Sequence, residues 1–157
     1  MIHLWNVSNR SLDIESEINT GSASPCLDIA FLNDIVTVGT FDRRVKSYDL
    51  RSSNRSNYIE QYSHHKKAVL AVHVPKHHQE FLISASEDGL VTLIDRRAKK
   101  ITSTLKFTDG FPMCMDMVDG DNCLYVSIKG SIIRDLPVFI WVLYIVIEKF
   151  TKFFLFI

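Results

Sequence analysis

The segment Phe81 to Arg97, FLISASEDGLVTLIDRR, restates without a gap the segment Ile35 to Arg51, IVTVGTFDRRVKSYDLR, 46 residues earlier. Asp42 falls on Asp88, Val45 on Val91, Asp49 on Asp95 and Arg51 on Arg97. A unit repeated at this length stacks copies of one supersecondary element, as a solenoid or a propeller does. Each copy reads as a strand, a tight acidic turn and a second strand closed by an aspartate. The repeat constrains architecture strongly. It says little about chemistry, because a scaffold of this kind carries no reaction of its own.

The units fall at about residues 1–20, 21–62, 63–106 and 107–136. The first opens with Ile2 to Val7, in register with the third strand of the next unit, and continues with Ser11 to Ile18 as an outer strand. The next unit places strands at Cys26 to Phe31, Ile35 to Thr40, Arg44 to Leu50 and Tyr58 to Tyr62. Its successor repeats them at Val69 to Val74, Phe81 to Ser86, Leu90 to Asp95 and Ile101 to Lys106. The last gives Met113 to Val118, Cys123 to Ile128, a turn at Lys129-Gly130 and a strand beginning at Ser131. Gly, Asn, Asp and Ser punctuate the strands, and no helical period persists before residue 137. Four-stranded sheets repeated radially protect their edges in a β-propeller, so the fold class expected is all-β, a partial propeller with about two full blades. The first two strands of each unit are the most apolar and are expected near the ring centre, covered on both faces.

The units resemble the WD-repeat family of β-propellers. That family has Gly-His before the first strand, Ser-Gly-Ser-x-Asp at the second strand and turn, and Trp-Asp closing the third. Here His64-His65 precedes Val69, Ser84-Ala85-Ser86-Glu87-Asp88 forms the turn, and Ile94-Asp95 replaces Trp-Asp. In the preceding unit Gly21-Ser22 keeps the glycine and Tyr48-Asp49 keeps an aromatic, while the last unit has Thr108-Asp109. The resemblance covers roughly residues 1–136. It implies that His65, Ser84 and Asp88 are hydrogen-bonded within one blade, with Ile94 ending the chain early. Asp42, Asp49 and Asp95 take structural places by the same resemblance. Val38 stands at the serine position of the earlier unit, so that blade is expected to rest on apolar packing.

Arg51 and Arg97 each lie two residues after a closing aspartate. This Asp-x-Arg ending is similar to the motif by which many WD-repeat proteins dock onto a cullin-type ubiquitin ligase. Arginine suits such docking because its planar fork pairs bidentately with acidic groups. The run DRRAKKITSTLKF followed by MCMDMV also looks like the propeller of F-box and WD-repeat proteins. These resemblances imply protein partners, including ubiquitin-ligase subunits. Arg43, Arg44, Arg96 and Arg97 are candidates for a basic patch that receives an acidic or phosphorylated substrate.

Other function classes find less support. Lys plus Arg and Asp plus Glu both number 18, which removes the electrostatic argument for nucleic acid. His64-His65 and His77-His78 match no zinc spacing, and no cysteine pair completes them, so no metal is expected. There is no phosphate loop, nucleophile elbow or unexplained carboxylate pair, so neither an enzyme nor a cofactor is expected. Cys26, Cys114 and Cys123 form no paired pattern, and residues 1–10 do not read as a signal peptide, which suits reduced thiols in cytoplasm or nucleus. From Pro137 the sequence PVFIWVLYIVIEKFTKFFLFI departs from the repeat. This tail, 137–157, is expected to be helical and unrelated to the propeller, as in a truncated or alternatively spliced product. The alternative is a membrane anchor through 138–157, opposed by Glu148, Lys149 and Lys152 within the span.

Overall fold

A computed structural model describes residues 2–8, 11–18, 24–52, 58–108, 110–118, 123–129 and 141–146. The strands are β1 (Ile2–Ser8), β2 (Ser11–Ile18), β3 (Cys26–Leu32), β4 (Ile35–Thr40), β5 (Val45–Asp49), β6 (Glu60–Tyr62) and β7 (Val69–His73). They continue with β8 (Phe81–Ser86), β9 (Leu90–Asp95), β10 (Lys100–Lys106), β11 (Phe111–Val118), β12 (Cys123–Lys129) and β13 (Trp141–Val146). Sequential strands pair in antiparallel meanders, giving four sheets: β1-β2, β3-β4-β5-β6, β7-β8-β9-β10 and β11-β12-β13. The architecture is therefore all-β, a partial propeller whose sheets are its blades.

Short turns set the meanders. At the β8–β9 turn Gly89 takes the left-handed backbone, φ 81°, and its amide closes the turn on the Ser86 carbonyl at 3.0 Å. Arg43 holds the matching place between β4 and β5 at φ 70°, a conformation unfavourable for a side chain with a Cβ. Alternating side chains then bury opposite faces of each strand.

Each sheet lies against the next. Val45, Leu82, Ile94, Val69, Val72 and Val74 form one core, closed by Ala30, Leu32 and Tyr62. Ala71, Ile83, Ala85 and Val91 meet Leu124 and Val126 in a second. Ile2 and Ile18 reach across to Val36, Val38 and Tyr48 in a third. The sheets approach closely at Gly39. A Cβ there would stand 2.9 Å from Val69 Cγ1 and 3.0 Å from the Val69 carbonyl oxygen. Gly39→Ala is accordingly expected to destabilise the fold by about 1–2 kcal/mol through overpacking. Urea unfolding checks this, and an unchanged midpoint would mean that β4 and β7 do not pack this tightly.

Three sequence expectations need correction. β3 is not covered on both faces: Leu27, Ile29 and Phe31 are exposed, while Ala30 and Leu32 pack toward β7. The β1-β2 sheet reaches the β4 and β5 side chains of the third core, and among the described residues nothing closes over those three. The tail is not helical where it is described. Trp141–Val146 is strand β13, pairing antiparallel with β12 from Ile128↔Trp141 to Cys123↔Val146. Its sequence, WVLYIV, is mostly β-branched and aromatic, and the β12 edge supplies the backbone partners such a strand needs. The fourth strand of the first full blade is shorter than expected, Glu60–Tyr62 rather than Tyr58 to Tyr62. Gly21-Ser22, Asp109, Gly130, the strand start at Ser131 and the tail outside 141–146 lie outside the described residues. Among the described residues no helix is long and apolar enough to cross a membrane.

Candidate functional site

The second full blade holds a chain of buried polar groups. His65 Nδ1 lies 3.2 Å from Asp88 Oδ2, and His65 Nε2 lies 2.9 Å from Ser84 Oγ. Ser84 Oγ lies 2.8 Å from Thr92 Oγ1, and Thr92 Oγ1 lies 2.8 Å from His64 Nε2. One assignment of protons satisfies every link. His64 Nε2–H donates to Thr92, Thr92 to Ser84, Ser84 to His65 Nε2, and His65 Nδ1–H to Asp88. Asp88 also accepts the Lys66 amide at 2.8 Å and the Leu90 amide at 3.1 Å. It thereby ties the loop before β7 to the β8–β9 turn.

The electrostatics follow from burial and these bonds. Burial acts to raise the Asp88 carboxyl, but the Lys66 and Leu90 amides and His65 outweigh it and hold it below the usual range. Burial pushes His65 down against the pull of Asp88. His64 is pushed down to about 4, by burial and then by the neighbouring His65 ring, whose centroid is 4.1 Å away. His64 Nδ1 is buried without a hydrogen-bond partner, which suits an unprotonated nitrogen.

The structure thus brings His65, Ser84 and Asp88 together and adds His64 and Thr92. Ile94 does not end the chain. It is fully buried in the apolar core, and the polar links turn instead through Thr92, paired with Ser84 across the β8–β9 ladder. The cross-strand pair Ser84↔Thr92 is the signal that sequence reading passes over.

The preceding blade is built differently. Asp42 bonds Thr40 Oγ1, and its amide donates to Ser24 Oγ at 2.8 Å, so it braces its own turn. Val38 stands at the place of Ser84, and both it and the fully buried Tyr48 pack in the apolar third core. Burial pushes the Tyr48 phenol up to about 12.

The aspartates closing β5 and β9 cap the turns that follow them. Asp49 Oδ1 accepts the Arg51 amide at 2.9 Å, and Asp95 Oδ1 accepts the Arg97 and Ala98 amides, each at 2.9 Å. The two arginines differ. Arg51 folds back bidentately onto Asp49, Nε to Oδ1 at 3.1 Å and Nη2 to Oδ2 at 2.9 Å. That bond lowers the Asp49 carboxyl and raises the Arg51 guanidinium. Arg97 is exposed on the corresponding turn, with its charge near Glu80.

The four cations Arg43, Arg44, Arg96 and Arg97 do not form one patch. Arg43 and Arg44 stand at the β4–β5 turn, whereas Arg96 and Arg97 stand at the β9–β10 turn. In an antiparallel meander these turns are at opposite ends of the strands, separated by about 20 Å for six residues. Arg96 is further committed to an ion pair with Glu60, Nε to Oε2 at 2.9 Å, with side chains only 12% and 16% exposed. It also donates to the Gln79 carbonyl at 3.2 Å. This pair joins the outer strand of one blade to the next blade. Among the described residues no group of three or more His, Cys, Asp or Glu is arranged to hold a metal ion.

Repeated four-stranded meanders, stacked sheet on sheet and braced by a turn aspartate and histidine, define a propeller built from WD-type units; the chain belongs to the WD-repeat family. It is 30% identical over 126 residues to the F-box/WD repeat-containing protein 9 of Homo sapiens, and equally to that of Bos taurus. Each alignment covers 77% of this chain and 26% of the relative, so the chain spans about a quarter of the length of these relatives. Among solved structures it is similar to U3-55K, with a TM-score of 0.58 at 16% identity over 67% of this chain and 31% of that one. The WD40 repeats of RRP9 match with a TM-score of 0.56 at 15% identity over 65% of this chain and 30% of that one. These structures speak for the fold alone. No family model matches the chain.

Proposed function

We propose that these blades are a protein-interaction scaffold that serves substrate recognition in a cullin-type ubiquitin ligase. The similarity to an F-box/WD repeat-containing protein over 77% of the chain carries this reading. The strand ends supply the docking chemistry. Arg97 is exposed on a turn whose backbone Asp95 fixes, and its planar guanidinium can pair bidentately with a partner's acidic group. Arg51 supports the reading less, because a partner carboxylate must first compete with Asp49. Arg96 is excluded by its pairing with Glu60. Arg43 and Arg44, at the other end of the sheets, are separate candidates for an acidic or phosphorylated substrate.

The test is recovery of ligase subunits by the tagged chain from cell extract. Arg97→Ala is expected to reduce recovery by about tenfold, as loss of one interfacial charged anchor does. Arg51→Ala combined with it should take recovery to background. Undiminished recovery by the double variant removes the docking assignment. Recovery of no ligase subunit by the parent chain removes the ligase reading.

A further inference from the structure

Each of the two full repeats places a run of cations ahead of a hydroxyl side chain, and the fold treats the two hydroxyls oppositely. Arg43-Arg44-Val45-Lys46 leads to Ser47, and Arg97-Ala98-Lys99-Lys100-Ile101 leads to Thr102. Ser47 lies inside the β3–β6 sheet, fully buried, with its Oγ 2.9 Å from Thr37 Oγ1. Thr102 lies on β10, the outermost strand of its sheet, which is hydrogen-bonded to β9 on one side. This strand is mid-chain, between β9 and β11, so its edge is a lateral edge of the blade. Every residue from Arg97 to Thr102 is exposed. The β9–β10 register shifts between Ile101 and Ser103: Ile101 pairs with Ile94 and Ser103 with Leu93, which leaves Thr102 as the extra residue of a β-bulge. A bulge takes its extra residue out of the ladder and re-aims the side chain. The burial pattern shows the effect. From Ser103 to Lys106 half-buried and exposed residues alternate, whereas Lys100, Ile101 and Thr102 are exposed in succession. Thr102 Oγ1 donates to the Leu93 carbonyl oxygen at 3.0 Å.

We infer that Thr102 is a phosphorylation site for a Ser/Thr protein kinase whose substrate groove is acidic. Such a groove selects its substrate by charge complementarity with cations flanking the acceptor. Arg97, Lys99 and Lys100 stand five, three and two residues before Thr102, all of them exposed. Arg96 does not add to them, because it is paired with Glu60. Ser103 shares the cations but is half-buried and held in the ladder opposite Leu93. Ser47 has the cations and lacks the access. The transfer balances with ATP as the donor. Thr102 Oγ1 forms a bond to the γ-phosphorus, the bond from that phosphorus to the β,γ-bridging oxygen breaks, ADP leaves, and the hydroxyl proton passes to the catalytic aspartate of the kinase. The phosphate brings a charge of about −1.5 to −2 at neutral pH. The modified oxygen no longer donates, so the bond to the Leu93 carbonyl is lost. The new charge follows directly on Lys99 and Lys100, so modification offsets most of the positive charge of this exposed strip on the outer strand. The inference goes beyond the ligase reading and does not rest on it, since labelling of Thr102 requires no ligase subunit.

The test incubates the folded full chain with magnesium ATP and the catalytic domain of cyclic-AMP-dependent protein kinase or of protein kinase C, both of which take cations ahead of the acceptor. Tandem mass spectrometry is expected to place phosphate on Thr102. Thr102→Val should abolish that label, and Thr102→Ser, which keeps the hydroxyl, should retain it. Lys99→Ala combined with Lys100→Ala should lower the initial rate by about tenfold or more, as loss of charged anchors does. Thr104→Val, an exposed position on the same strand, should leave the rate unchanged. A synthetic peptide of residues 95–106 separates sequence from fold. Label on that peptide with none on the folded chain would show that β10 withholds the hydroxyl, and this overturns the inference. So does the absence of label at Thr102 with both kinases, label on Ser47 in its place, or a rate indifferent to loss of the two lysines.

Discussion

Replacing Asp88 with alanine should cost this fold about 3 kcal/mol, more than any other exchange of a single polar side chain in the described blades. The reason is the number of donors that converge on one carboxylate. Oδ2 takes both His65 Nδ1–H and the Lys66 amide, and Oδ1 takes the Leu90 amide. The carboxylate is itself almost enclosed, with its side chain 6% exposed and that of His65 at 0%. Removing it leaves the buried His65 N–H without an acceptor and releases the β8–β9 turn from the loop before β7. An unsatisfied buried donor costs about 1–3 kcal/mol, and bonds to a charged acceptor lie at the upper end. Asp88→Asn keeps shape and some acceptor capacity, so an intermediate loss is expected. Thr92→Val keeps shape and cuts the relay at its middle, with an expected loss of about 1 kcal/mol. Urea unfolding of the four proteins ranks them. A loss under about 1 kcal/mol for Asp88→Ala would show that water replaces the carboxylate and that the network does not hold the blade.

How much of this was legible beforehand depends on which level of structure wrote it. The repeat register carried the strands well: Ile35–Thr40, Phe81–Ser86 and Leu90–Asp95 have the bounds read from the sequence. Alternation of apolar residues and turn residues is a local signal, and the meander follows from it. What the repeat could not carry is what a neighbour does. Cys26 to Phe31 is as apolar as Val69 to Val74, yet one strand is covered on both faces and the other on one, because coverage depends on the adjoining sheet. The tail illustrates the same point. A run of bulky apolar residues suits a helix or a strand alike, and the free β12 edge decided for a strand over Trp141–Val146.

The polar sites divide along the same line. His65, Ser84 and Asp88 could be placed by resemblance because their spacing follows the repeat. Thr92 and His64 could not, since Thr92 replaces no motif residue and joins only through its cross-strand partner. The grouping of Arg43 and Arg44 with Arg96 and Arg97 failed for a topological reason. Both pairs flank turns, but successive turns of a meander alternate between its ends. Arg96 was misread for an energetic one. A cation between a carbonyl of its own blade, that of Gln79, and the preceding blade's Glu60 is spent on holding the sheets together.

Acid should weaken the fold well above the range in which carboxylates titrate, because both histidines of the relay are held neutral. His64 falls from 6.5 to about 4, by burial first and then by the charge His65 would carry. His65 is lowered as well, less simply, since Asp88 opposes its burial. The sign follows from proton counts. Between pH 6.5 and 4 the unfolded chain holds a proton on His64 that the folded chain does not, so stability rises with pH. The contribution is fully present above the unfolded value and is lost as pH falls toward the folded one. One such proton changes stability by about 1.4 kcal/mol per pH unit, and a loss of about 2–3 kcal/mol is expected across this window. Geometry explains why the folded state refuses the proton. In the relay Nε2–H already serves Thr92, so protonation would place a second N–H at Nδ1, which is buried with no acceptor. Asp88 adds its own loss only at lower pH, below the ordinary carboxylate value, because its folded value is depressed. His64→Gln can keep a donor toward Thr92 while removing the titration. Its unfolding free energy between pH 7.5 and 4.5 should therefore fall less steeply than that of the parent, by about one proton. Parallel pH dependence in the two proteins would mean that His64 is not held neutral, and that some other group sets the acid limit of the blade.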